Sequence, residues 1–129
     1  MDARQTRSLL LTLLEDSAVA WQEDAGLVRF RIAREGMVWE MACRCEAGQI
    51  LCCGRYPFAV PDRTAGLERC SRINSRAEAG AMFLPRDGHP VFRTTARLDD
   101  PYDARRRLIR ALEYNAAVIA RFWGQLSGR

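Results

Sequence analysis

Apolar and polar residues alternate most clearly from Leu27 onward. In LVRFRIA, Val28, Phe30 and Ile32 fall on one side and Arg29 and Arg31 on the other, the period-two pattern of a half-buried strand. Glu35-Gly36 is a turn signal, and the alternation resumes from Met37 to Cys45 with Met37, Trp39, Met41, Cys43 and Cys45 on one face. Setting Ile32 opposite Trp39 brings Phe30 to Met41 and Val28 to Cys43, all on one apolar side. A register one residue off would oppose Arg31 to Trp39, so the first pairing is the predicted one.

Other segments carry the helical period. Leu9, Leu10, Leu13 and Leu14 predict an amphipathic helix from Asp2 to about Asp16. Ala18 to Glu23 reads as a short extended lead-in, with Asp24-Ala25-Gly26 as the turn after it. Glu46 to Gln49 turns the chain into a third strand, Ile50 to about Tyr56, and Pro57 and Pro61 bracket a loop. Asp62 is placed to cap a helix running to about Arg76, with Leu67, Cys70 and Ile73 on its inner stripe. Ala79 to Leu84 and Val91 to Leu98 form a second hairpin through Pro85-Arg86-Asp87-Gly88. Asp99-Asp100-Pro101 opens a last helix, with Leu108, Leu112, Asn115 or Ala116, Ile119, Phe122 or Trp123, and Leu126 facing inward.

The predicted order is α-β-β-β-α-β-β-α. Strands joined by short turns are antiparallel, so the fold class is α+β: one domain over residues 1–129, a single antiparallel five-stranded sheet, and helices packed mainly on one face.

Composition sets the function classes. The 129 residues are 48% apolar and 28% charged, the balance of a folded domain. The run Leu9 to Leu14 is too short to span a bilayer, so no membrane association is expected and the cytoplasm is the expected compartment. All twenty basic residues are arginine, against sixteen acids, for a net charge of +4. Arg105, Arg106, Arg107 and Arg110 make the densest cluster, but on a helix three successive residues spread around most of the circumference. A solvated helix surface therefore accounts for them better than nucleic-acid binding, which is carried as the third alternative. Helix capping accounts for Asp99, Asp100 and Asp103, and His89 beside Asp87-Gly88 is expected at the surface of a hairpin tip. No nucleotide-binding glycine pattern and no Ser-His-Asp set is present, so no enzyme activity and no cofactor is expected.

ACRCEAGQILCC holds Cys43, Cys45, Cys52 and Cys53, with Cys70 further on. Pairing Cys45 with Ile50 sets Cys43 opposite Cys52 on the inner face and turns Leu51, Cys53 and Arg55 outward. A turn one residue longer would bring Leu51 and Cys53 inward, but it would bury Arg55. Along a strand, residues i and i+2 stand roughly 7 Å apart, so the spacing does not converge on a metal as paired C-x-x-C turns do. Cys43 and Cys52 are the candidate thiol or disulfide pair, although cytosolic thiols are normally reduced and a buried cysteine packs as a small hydrophobe. Cys53, near Arg44 or Arg55, is the candidate reactive thiol.

RINSRAEAGAMFLPRDGHPVFRTTARLDD resembles the YbjN family, whose domain is similar to that of type III secretion chaperones. The matching residues are Arg72-Ile73-Asn74, Gly80, Met82, Leu84, Asp87-Gly88, Val91, Arg93 and Thr94, with Ile119 to Trp123 similar to the closing helix. The resemblance implies a noncatalytic protein that binds another polypeptide and is expected to form a homodimer. It transfers no functional residue; Asn74 reads physically as a helix C-cap. The first expectation is therefore a chaperone-like or regulatory interaction module with Leu51 and Cys53 on its contact surface. The second is a cysteine-based thiol or metal sensor.

Overall fold

A computed structural model describes residues 1–128. The elements are α1 (Ala3–Asp16), β1 (Trp21–Asp24), β2 (Leu27–Arg34), β3 (Met37–Glu46), β4 (Gln49–Arg55), α2 (Arg63–Arg76), β5 (Ala81–Phe83), β6 (Val91–Arg97) and α3 (Ala104–Ser127). The sheet is antiparallel, but it has six strands rather than the expected five, in the order β1-β2-β3-β4-β6-β5. The added strand is the lead-in segment, whose Trp21 to Asp24 pair with Phe30 to Leu27. Its turn is Ala25-Gly26, with φ of 52° and 77°, and the next is Glu35-Gly36, with φ of 51° and 81°. Positive φ at both central residues is the turn whose twist suits adjoining strands, so each two-residue loop closes a hairpin directly.

The registers predicted for β2, β3 and β4 are observed: Ile32 faces Trp39, Val28 faces Cys43, Cys43 faces Cys52 and Cys45 faces Ile50. One face of the sheet thus collects Val28, Phe30, Met41, Cys43, Ile50, Cys52, Phe92 and Ala96, all buried. On it α1 packs over β3 and β4 and α3 over β4 and β6, while α2 leans on β5 and α3. Asp2 caps α1 reciprocally with Gln5, at 2.8 and 2.9 Å, satisfying two backbone donors that a helix start leaves open.

Other boundaries moved. β5 is only three residues long, and α3 starts at Ala104 because Asp100 closes a local turn on the Tyr102 amide instead of capping the helix. Leu67 lies 47% exposed on α2 instead of in its inner stripe. Asn74 is not the C-cap of α2, which is Ala77. Its side-chain amide instead donates to the Met82 carbonyl at 2.8 Å and accepts from the Met82 N–H at 2.7 Å, fixing β5 to the helix. His89 is half-buried rather than at the surface, with Nδ1 3.0 Å from the Tyr56 carbonyl.

Among the described residues three polar side chains, Thr6, Thr94 and Asn115, are buried, and two of them are linked. Asn115, fully buried on α3, directs Nδ2 at the Phe92 and Cys52 carbonyls and at Thr94 Oγ1, at 2.9, 3.1 and 3.2 Å. Thr94 in turn donates to the Ala111 carbonyl at 3.1 Å. A helix is thereby tied to two strands by hydrogen bonds as well as by apolar packing. The approach is close enough to require glycine at position 54, where a Cβ would lie 2.6 Å from Asn115 Oδ1 and 3.1 Å from Ile119.

Candidate functional site

Among the described residues no helix packs on the opposite face of the sheet. Its rows run Ala42, Cys53, Arg93 and Arg44, Leu51, Thr95 and Glu40, Arg55, Val91 across β3, β4 and β6. Strand alternation places these residues there: each is one position away from a residue of the core face. Leu51, Cys53 and Ala42 are half-buried by their neighbours and form a small apolar centre.

Arginine dominates the surround. Arg29 is held by Glu40 at 2.7 Å and more loosely by Asp24 at 3.9 Å, and Arg55 by Asp87 at 2.6 Å. Arg31, Arg44, Arg93 and Arg97 have no carboxylate within 4.0 Å among the described residues. The face thus gathers positive charge around a short apolar strip.

The cysteines divide between the two faces. Cys43 and Cys52 sit directly opposite each other at full burial, as free thiols. The neighbouring Cys52 thiol and burial hold the Cys43 thiol far above its ordinary range. Burial likewise pushes Cys45 up to about 11. Cys53 lies beside Arg93 and feels Arg44, one of the two arginines expected near it; burial raises its thiol despite the pull of both toward the thiolate. All three are therefore protonated at neutral pH, which is the inert form of a thiol and not the nucleophilic one. Among the described residues no group of three or more His, Cys, Asp or Glu side chains converges as a metal site would require.

The arginine cluster of α3 divides between α1 and a cleft beside β6. Arg105 reaches Asp16 of α1 at 3.1 Å, and Arg106 and Arg107 share Asp103 at 4.0 and 2.7 Å. Among the described residues Arg110 has no such partner, and it lines a cleft with Arg97, Arg106 and Arg107 between β6 and α3. Sequence reasoning found Leu51 and Cys53 through register, but missed Arg93 and this cleft. Both depend on the pairing of β4 with β6, which no turn dictates, since α2 and β5 intervene. Among the described residues, no helix is long and apolar enough to cross a membrane.

The architecture is that of an α+β domain with one helix-covered and one bare sheet face. More particularly it is a YbjN-like fold: the chain superposes on the crystal structure of YbjN from E. coli, for which a role as a transcription regulator is suggested, with a TM-score of 0.65 over 92% of this chain and 91% of that one. Identity is 16%, so the likeness concerns the fold alone. No family model and no curated protein matches the sequence.

Proposed function

We propose that the chain is a noncatalytic protein-binding module, chaperone-like or regulatory, working through its bare sheet face. The observation that carries this is the apolar strip of Leu51, Cys53 and Ala42 set among four arginines that have no carboxylate partner among the described residues. Keeping an arginine-rich surface unpaired does little for folding, since exposed ion pairs contribute only about 0 to 1 kcal/mol. It does favour the approach of an acidic partner. A regulatory role fits the suggestion made for the YbjN structure, and chaperone-like binding fits the resemblance to secretion chaperones.

Two occupants of the face are distinguished by salt. An acidic polypeptide is released as ionic strength rises, because screening weakens the attraction beyond a Debye length of about 8 Å at physiological salt. A second copy of the chain, the expected homodimer, is favoured by the same rise, because screening relieves arginine facing arginine. Light scattering of the wild-type chain and of Leu51→Asp across a salt series tests this. A dimer that strengthens with salt and is lost in Leu51→Asp assigns the face to self-association. A dimer indifferent to Leu51→Asp contradicts dimerisation through this face.

A further inference from the structure

We infer that the free edge of β6, at the mouth of the cleft against α3, is a strand-addition site for an extended polypeptide segment with acidic side chains at alternate positions. This rests on the chain being a polypeptide-binding module, and it adds a contact separate from the bare face.

The edge is open for a definable reason. The Leu98 N–H donates to the Gly48 carbonyl at 2.9 Å, and the Pro90 carbonyl accepts from the Tyr56 N–H at 3.0 Å. Even-numbered residues of β6 therefore turn their backbone groups toward β4, and Arg93, Thr95 and Arg97 turn theirs the other way. There Arg93 meets Ala81, but β5 begins at Ala81 and leaves Thr95 and Arg97 beyond its end. Among the described residues, no hydrogen bond takes up the N–H or C=O of either. β5 cannot reach further back. Gly80, at φ +76°, lies so close that a Cβ would stand 2.5 Å from the Arg93 carbonyl, and the Glu78 N–H is drawn to the Tyr114 hydroxyl on α3 at 3.1 Å. The chain diverges and leaves a cleft of about 380 Å³ between β6 and α3.

The cleft selects its occupant by charge. Arg106, Arg107 and Arg110 line it from α3, against Glu78 as the one carboxylate of its wall among the described residues. Arg110 has no salt-bridge partner among the described residues. An antiparallel segment placed opposite Thr95 and Arg97 would exchange both backbone bonds at each, as Ala81 does with Arg93. Its intervening residue, opposite Ala96, would point to the helix-covered side as Ala96 does, toward Arg107 and Arg110. An acidic side chain there gives Arg110 the carboxylate partner that Arg107 already has in Asp103. Charge at a sheet edge normally discourages pairing, so a cationic edge rejects copies of itself while admitting an acidic strand.

The test uses fluorescence anisotropy of the full chain with a short labelled peptide of alternating glutamate and valine. Saturable binding is expected, weakened about tenfold or more by Thr95→Pro, because proline is tolerated where an edge amide is free and yet blocks the added strand. Arg110→Glu weakens it about severalfold, and Leu51→Asp leaves it within about twofold. Methylating one alternate set of peptide nitrogens abolishes binding and methylating the other set does not, which decides the matter even if Thr95→Pro fails to fold. Absence of saturable binding, or equal sensitivity to both methylation sets, overturns the edge site. Binding lost in Leu51→Asp and spared in Thr95→Pro also overturns it, while leaving the polypeptide-binding function standing on the bare face.

Discussion

Cys52 and Cys53 are neighbours in the chain, and the pleat of β4 sends them to opposite faces of one sheet. Cys52 is fully buried beneath α3, opposite Cys43 and Thr94, with its carbonyl taken by Asn115. Cys53 is half-buried on the bare face, between Ala42 and Arg93. The same side chain is a packing element in one place and part of a candidate contact surface in the other. Position relative to the pleat, rather than the chemistry of sulfur, decides its role.

The same charge placed at the two positions is expected to have very different consequences. Cys52→Asp buries a carboxylate among apolar groups with no cation near and is expected to cost more than about 4 kcal/mol, enough to unfold a domain of ordinary stability. Cys53→Asp, beside Arg93, is expected to change stability by about 1 kcal/mol or less. Urea denaturation followed by circular dichroism measures both. Comparable losses at the two positions would mean that the faces are not distinct.

A smaller effect is expected from Gly54→Ala, which adds one methyl on the core face against Asn115 and Ile119. Overpacking of this kind costs about 1 to 3 kcal/mol, and the same denaturation experiment reads it. Restoration of stability in the double variant with Asn115→Ser would tie the cost to that contact.

Smaller still is the dependence on alkaline pH. Cys45 has its folded-state value raised from 9.0 to about 11 by burial, so the folded chain holds a proton there that the unfolded chain has released. The stability conferred by the neutral thiol is complete below pH 9 and is lost as pH climbs toward 11, because the unfolded state then binds fewer protons. Cys43 titrates in the same direction and adds to the slope. Melting temperature should therefore fall across this window, less steeply in Cys45→Ala; a flat profile would contradict the burial of these thiols. At the bottom of the scale, Leu51→Asp is expected to alter stability by no more than about 0.5 kcal/mol while affecting association.

How much of this the sequence disclosed follows from what sets each feature. The pairing of β2, β3 and β4 was legible because strict alternation and two-residue turns leave one register that buries the apolar set, and with it the facing pair Cys43 and Cys52 and the outward Leu51 and Cys53. β1 was missed as a strand because its four residues contribute only Trp21 to the apolar side. The roles of Asn74 and Asn115 were hidden because a side-chain amide has no periodic signature, and its partners, the Met82 backbone and the Cys52 and Phe92 carbonyls, are distant in sequence. The open edge at Thr95 was invisible for the same reason: the contact of Gly80 with Arg93 that ends β5 exists only in three dimensions.

Cys53 itself provides the most direct test that the bare face is a working surface, since it lies at the centre of that face. Its rate of alkylation by a small neutral reagent can be compared by mass spectrometry between the purified dilute chain and the chain inside its native cells, with the half-buried Cys45 of the covered side as internal reference. Cys53 is expected to be protected in the cell about fivefold or more relative to Cys45, as befits a face that a partner desolvates, and Leu51→Asp is expected to remove the protection. Equal labelling of Cys53 in the cell and in dilute solution would contradict it.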